Sequence, residues 1–142
     1  MSLLASVFIF IELALTKQVN ILILPALLAF GLSLIRESIK DLHDFSGDQF
    51  SGMKTLPIIF GVKTSCYLIS ALIFIFCILS TFPYFYGLYG LKYFISLIIF
   101  IEIPLLYSLF LLLNFQTIKT FKQLANLYKM LSIIGLFVIF LT

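Results

Sequence analysis

Charge is what this sequence has least of. Of 142 residues only 11% are charged while 63% are hydrophobic. A soluble domain carries about 25% charged and about 45–50% apolar residues, so an ordinary water-soluble fold is excluded and a membrane is the natural solvent. The single histidine cannot assemble a zinc site or a nucleophile triad with what surrounds it. The two cysteines, Cys66 and Cys77, stand in an apolar segment without CxxC spacing; they read as small buried hydrophobes and say nothing about redox compartment. A net charge of +3 is too slight to suggest a nucleic-acid partner. No basic stretch precedes the first apolar run and no small-residue cleavage site follows it, which argues against a cleavable signal peptide. Strict alternation of apolar and polar residues is missing, which excludes a transmembrane barrel, and no internal repeat or low-complexity tract stands out.

What is present is a succession of apolar runs. A spanning helix needs roughly 20 mostly apolar residues, and five segments come near: about Leu3 to Leu15, which is short, Val19 to Ile35, about Cys66 to Phe82, Tyr93 to Leu113, and about Leu124 to Leu141. The expectation is an all-α fold, a polytopic transmembrane helical bundle of about five spans forming one domain over residues 1–142. Pro25 and Pro104 should kink their helices, and Pro83 should end the third. The aromatic residues that follow it, Tyr84, Phe85, Tyr86, Tyr89 and Tyr93, read as an interfacial belt. Arg36, Lys40, Lys54 and Lys63 surround one connection, and Lys119, Lys122 and Lys129 lie in or just after another on the same side. Lys17 and Lys92 mark the opposite side. The excess of positive charge then puts the acidic connection and the N-terminus in the cytoplasm, with the C-terminus outside.

Half of the six acidic residues fall between positions 41 and 48. On a helix Asp41, Asp44 and Asp48 are one turn apart and share a sector of roughly 60°, although Gly47 should weaken the helix and leave Asp48 at a frayed end or in the following turn. Three like charges repel and raise one another's pKa unless a cation sits among them. Mg²⁺ suits the place, because it takes one or two carboxylates and completes its shell with water and phosphate oxygens; Lys40, Lys54 and Arg36 would grip the phosphate. Charge and spacing leave a second reading open, a solvated cytoplasmic loop. His43 falls off the aspartate face and is expected in solvent. Glu102, in mid-span beside Pro104, must be protonated, paired or facing a polar cavity, and Glu12 is expected near water or Lys17.

The run RESIKDLHDFSGDQFSGMKTLPIIFG, Arg36 to Gly61, resembles the second aspartate-rich motif of the UbiA superfamily of intramembrane prenyltransferases. Asp44 and Asp48 match its DxxxD, Asp41 the preceding polar position, Gly52 the glycine four residues on, and Lys54 with Thr55 the basic and hydroxyl pair. The Lys-Asp before the motif and the KTLP after it are most similar to the branch acting on geranylgeranylglyceryl phosphate. The resemblance implies a nine-helix fold in which the runs here correspond to helices five to nine. It implies Mg²⁺-dependent transfer of a prenyl group from an allylic diphosphate to a glycerol-phosphate lipid precursor, or otherwise to an aromatic or quinone precursor. Asp44 and Asp48 would be the catalytic metal ligands with Asp41 as a third, and Lys54, Lys40 and Arg36 would bind the diphosphate. The family's first aspartate-rich motif has no counterpart, since no aspartate precedes Asp41; the resemblance therefore implies a partner chain or further segment supplying it. The alternative is a non-enzymatic membrane subunit or inactive remnant with a cation-binding acidic loop, or, using Glu102, a small ion carrier.

Overall fold

A computed structural model of the chain describes residues 23–87 and 90–140. Their regular elements are helices: α1 (Ile23–Ser51), α2 (Leu56–Phe60), α3 (Val62–Phe85), α4 (Leu91–Asn114) and α5 (Ile118–Phe140). Among the described residues, α3 and α4 are the two helices long and apolar enough to cross a membrane. This corrects the expectation of about five spans, and the reason lies in where the charges fall. The described apolar part of α1 runs from Ile23 to Ile35 before Arg36, Glu37, Lys40 and Asp41 follow on the same helix. Lys119, Lys122 and Lys129 occupy the first half of α5. A count of apolar runs sees the greasy part of each helix and not the charged continuation. The run from Leu3 to Leu15, with Glu12, lies outside the described residues.

The helices meet along stripes at helical spacing. Leu32, Ile35, Ile39 and Leu42 of α1, Cys66, Ile69, Ile73 and Phe76 of α3, and Phe121, Leu124, Tyr128 and Leu131 of α5 all follow a three-four-three spacing and join one buried cluster with Leu97, Ile101, Leu105 and Leu112 of α4. Each stripe puts one face of its helix against the core. The centre belongs to α1, packed against α5, α3 and α2. Gly31 permits the contact with α3, because a Cβ there would stand 2.6 Å from the ring of Phe76.

Prolines act less abruptly than expected. Pro83 lies inside α3, which continues to Phe85; the stop comes after it, where Gly87 takes the left-handed conformation at φ 68 and donates its N–H to the carbonyl of Tyr84 at 3.0 Å. In α4 the N–H missing at Pro104 is absorbed by a π turn at Ile98–Glu102, in which the Ile103 N–H reaches the carbonyl of Ile98. Phe85 and Tyr86 are exposed as an interfacial belt requires. Tyr93 is not part of such a belt: it is buried and donates its O–H to the Ser80 carbonyl at 3.3 Å. Tyr89 is outside the described residues. Cys66 is buried and Cys77 half-buried, both free, in keeping with the reading from sequence.

Candidate functional site

The second half of α1 carries the acidic residues, and it stays helical through all of them to Ser51. Gly47 does not fray it. The helix ends one residue later at Gly52, whose φ of 69 is the left-handed conformation of a helix stop, and the Met53 N–H reaches back to the Asp48 carbonyl at 3.1 Å. The motif glycine thus turns the chain so that Lys54 and Thr55 follow directly on the acidic turn.

The described structure leaves one long face of α1 uncovered. Its residues are Leu27, Phe30, Leu34, Glu37, Asp41, Asp44 and Asp48, again at alternating spacings of three and four, all exposed or half-buried. The first three are apolar and the last four are carboxylates. Glu37 was not picked out from the sequence, although it stands one turn before Asp41 on the same stripe.

Electrostatics mark the inner part of that stripe. Burial, and next the charge of Asp48, push the Asp41 carboxyl above its ordinary value, with Glu37 and Asp44 adding and Lys40 opposing. The Asp41 carboxyl therefore feels the charge of Asp48 two turns further on. Asp44 is engaged differently: its carboxylate lies 2.7 Å from Nδ1 of His43, whose side chain is 34% exposed. The expectation of a histidine turned away into solvent is corrected, because a flexible Asp side chain reaches its immediate neighbour despite the 100° between them on the helix. Arg36 sits 3.7 Å from the Glu37 carboxylate and is largely buried, while Lys40 and Lys54 are exposed. The Thr55 hydroxyl is buried without a hydrogen-bond partner. Among the described residues no three His, Cys, Asp or Glu side chains stand close enough to form a ready-made metal cage. A face of half-buried carboxylates at helical spacing fits a hydrated Mg²⁺, which uses one or two protein carboxylates and fills its shell from water and ligand oxygens. It does not fit an ion that needs an all-protein cage.

Glu102 lies away from this face, on the π turn of α4. It is half-buried and accepts a hydrogen bond from the Ser80 hydroxyl of α3 at 3.3 Å. The structure thus gives it a partner on the neighbouring spanning helix, one of the options left open by its mid-span position.

A membrane-embedded helical bundle with an acidic face at one end defines a class that comparison with known proteins identifies: the chain belongs to the UbiA prenyltransferase family, whose model matches residues 2–133. Its particular relatives include the digeranylgeranylglyceryl phosphate synthase of Methanosphaera stadtmanae, 35% identical over 127 residues, covering 89% of this chain and 45% of the relative. The synthase of the same name from Thermococcus kodakarensis is 38% identical over 104 residues, covering 73% of this chain and 36% of the relative. A solved structure from work on digeranylgeranylglyceryl phosphate synthase in membranes superposes with a TM-score of 0.72 at 33% identity, covering 85% of this chain and 42% of that one. The chain spans less than half the length of these relatives.

Proposed function

We propose that the chain is part of a prenyltransferase that moves an isoprenoid group from an allylic diphosphate to a glycerol-phosphate lipid precursor. It supplies the second acidic motif, and a partner chain or further segment supplies the first. The observation that carries this is the order along the open face of α1: Leu27, Phe30 and Leu34, then Glu37, Asp41, Asp44 and Asp48. An allylic diphosphate has the same order, apolar tail then polyanionic head. The apolar part holds the tail and keeps water from the developing carbocation. Asp44 and Asp48, with Asp41, would hold Mg²⁺, and Lys54, Lys40 and Arg36 would bind the diphosphate. When bound, Mg²⁺ supplies Lewis-acid neutralisation of the leaving diphosphate. The Thr55 hydroxyl, next to Lys54 in sequence, is buried with no hydrogen-bond partner among the described residues, and on this reading it donates to a phosphate oxygen once the diphosphate is bound. The positive-inside rule supports a cytoplasmic position for this end of α1, because Arg36, Lys40, Lys54 and Lys63 cluster there.

The test is transfer from a radiolabelled allylic diphosphate in membranes, with Mg²⁺ or EDTA, and with or without a co-expressed segment carrying a first aspartate-rich motif. Asp44→Asn and Asp48→Asn should each lower transfer by about 10²–10³-fold, the loss typical of removing one electrostatic group at a transition state. Unchanged transfer in both variants would refute the assignment and favour a non-enzymatic role for the acidic face.

A further inference from the structure

The open face of α5 has the opposite charge. Lys119, Lys122, Asn126 and Lys129 follow one another at spacings of three, four and three, all exposed, and the same face continues into exposed Met130 and Ile133. No carboxylate lies within ion-pair distance of these lysines among the described residues. A neighbour ties this face to the apolar helix α4: Tyr128, adjacent to Lys129, is hydrogen-bonded at 2.7 Å to Ser108. Ser108 is six residues, about 9 Å at about 1.5 Å per residue, from the end of that helix at Asn114. Side chains on a helix lean toward its N-terminus, so Lys129 extends back over Asn126 toward Lys122. Lys122, Asn126 and Lys129 thus share one exposed face within two helical turns, with Met130 and Ile133 apolar just beyond.

We propose that this face of α5 binds a lipid bearing a phosphate monoester, its phosphate among Lys122, Asn126 and Lys129 and its hydrocarbon along Met130 and Ile133. A monoester carries about −1.5 to −2 at neutral pH, which several cations match better than they match the single charge of a diester. The α1 face repels a bare phosphate because its charges are negative, so the two faces of neighbouring helices sort two kinds of anionic amphiphile: one that brings a metal and one that does not. Assigning the α5 lipid as the prenyl acceptor rests on the prenyl-transfer reading; its binding does not.

The experiment places the chain in phosphatidylcholine nanodiscs doped with phosphatidic acid or with phosphatidylglycerol of the same acyl chains, and reads retained dopant by native mass spectrometry. Phosphatidic acid should be retained about tenfold more tightly than phosphatidylglycerol, with or without EDTA. Lys122→Gln and Lys129→Gln should each abolish that preference, Lys129→Arg should preserve it, and the exposed-lysine controls Lys63→Gln and Lys92→Gln should leave it alone. Equal retention of the two lipids, or equal effects of the control lysines, would mean general attraction of a basic chain for anionic lipid and would overturn the proposal. Asp44→Asn separates the two readings: it should leave phosphatidic acid binding intact while lowering, by the factor given above, Mg²⁺-dependent transfer in membranes that also hold the co-expressed first motif.

Discussion

The hydrogen bond between α4 and α5 that ties the lysine face to α4 yields an asymmetric prediction. The Ser108 hydroxyl donates to the Leu105 carbonyl at 2.6 Å. Its one hydrogen is thus committed, and Tyr128, fully buried, donates to Ser108 Oγ at 2.7 Å. Tyr128→Phe removes a donor and leaves Ser108 still bonded to Leu105, so the loss is that of a net hydrogen bond, about 0.5–1.5 kcal/mol. Ser108→Ala leaves the Tyr128 hydroxyl buried with its acceptor gone, which costs about 1–3 kcal/mol for an unsatisfied group. The double variant contains no orphaned donor and should return to about the Tyr128→Phe level. The assay is denaturant-induced unfolding of the reconstituted chain in mixed micelles, followed by far-ultraviolet circular dichroism for all four proteins. If Tyr128→Phe proves the costlier single substitution, or if the two costs simply add in the double variant, the direction of donation argued here is wrong.

Other perturbations test the fold and the acidic face separately. Gly31→Ala places a Cβ 2.6 Å from the ring of Phe76, and since Phe76 is buried the overpacking should cost about 1–3 kcal/mol in the same unfolding assay; adding Phe76→Leu should recover part of it. The Asp41 carboxyl is raised in the folded chain by burial and then by Asp48. A carboxyl raised on folding costs no stability below its unfolded value of about 3.9, where both states are protonated, and removes stability as pH rises through the folded value. Asp41→Asn should therefore stabilise the chain at neutral pH and lose that advantage on acidification, which a pH series of unfolding midpoints would register; an advantage that grew on acidification would contradict the sign. Thr55→Val should weaken allylic diphosphate binding while leaving stability nearly unchanged, because the hydroxyl it removes has no hydrogen-bond partner among the described residues.

Helical class and the shared face of the aspartates were legible because both rest on spacing: period 3.6 is visible in Asp41, Asp44 and Asp48 as it is in Ile69, Ile73 and Phe76. The number of spans was not. Apolar length is a local property of a run, whereas α1 and α5 carry their charges on the same continuous helices as their apolar parts. The fate of Pro83 and Pro104 was hidden for a related reason. A missing N–H is visible in sequence, but the π turn and the later glycine stop that accommodate it depend on the neighbouring backbone. His43 escaped because rotamers, not helical angle, brought its ring to Asp44. Glu37 and the apolar start of its stripe could have been found by extending the three-four spacing backwards from Asp41.

Opposite charges on adjoining helices ordinarily pair. The chain enters the acidic region along α1 and leaves the basic connection along α5, and α1 packs against α5. Yet among the described residues no lysine of α5 lies within ion-pair distance of a carboxylate of α1, and the cation that lowers the Asp41 carboxyl is Lys40 of the same helix. If the two sets of charge served only to keep one end of the bundle in water, pairing across the helix contact would relieve the repulsion that Asp41 feels, at no loss of solubility. Keeping them apart forgoes that relief. On the two readings proposed above, each set is left open for a charge brought from outside, a cation for the carboxylates of α1 and an anion for the ammonium groups of α5, and Asp44→Asn and Lys129→Gln test the two separately.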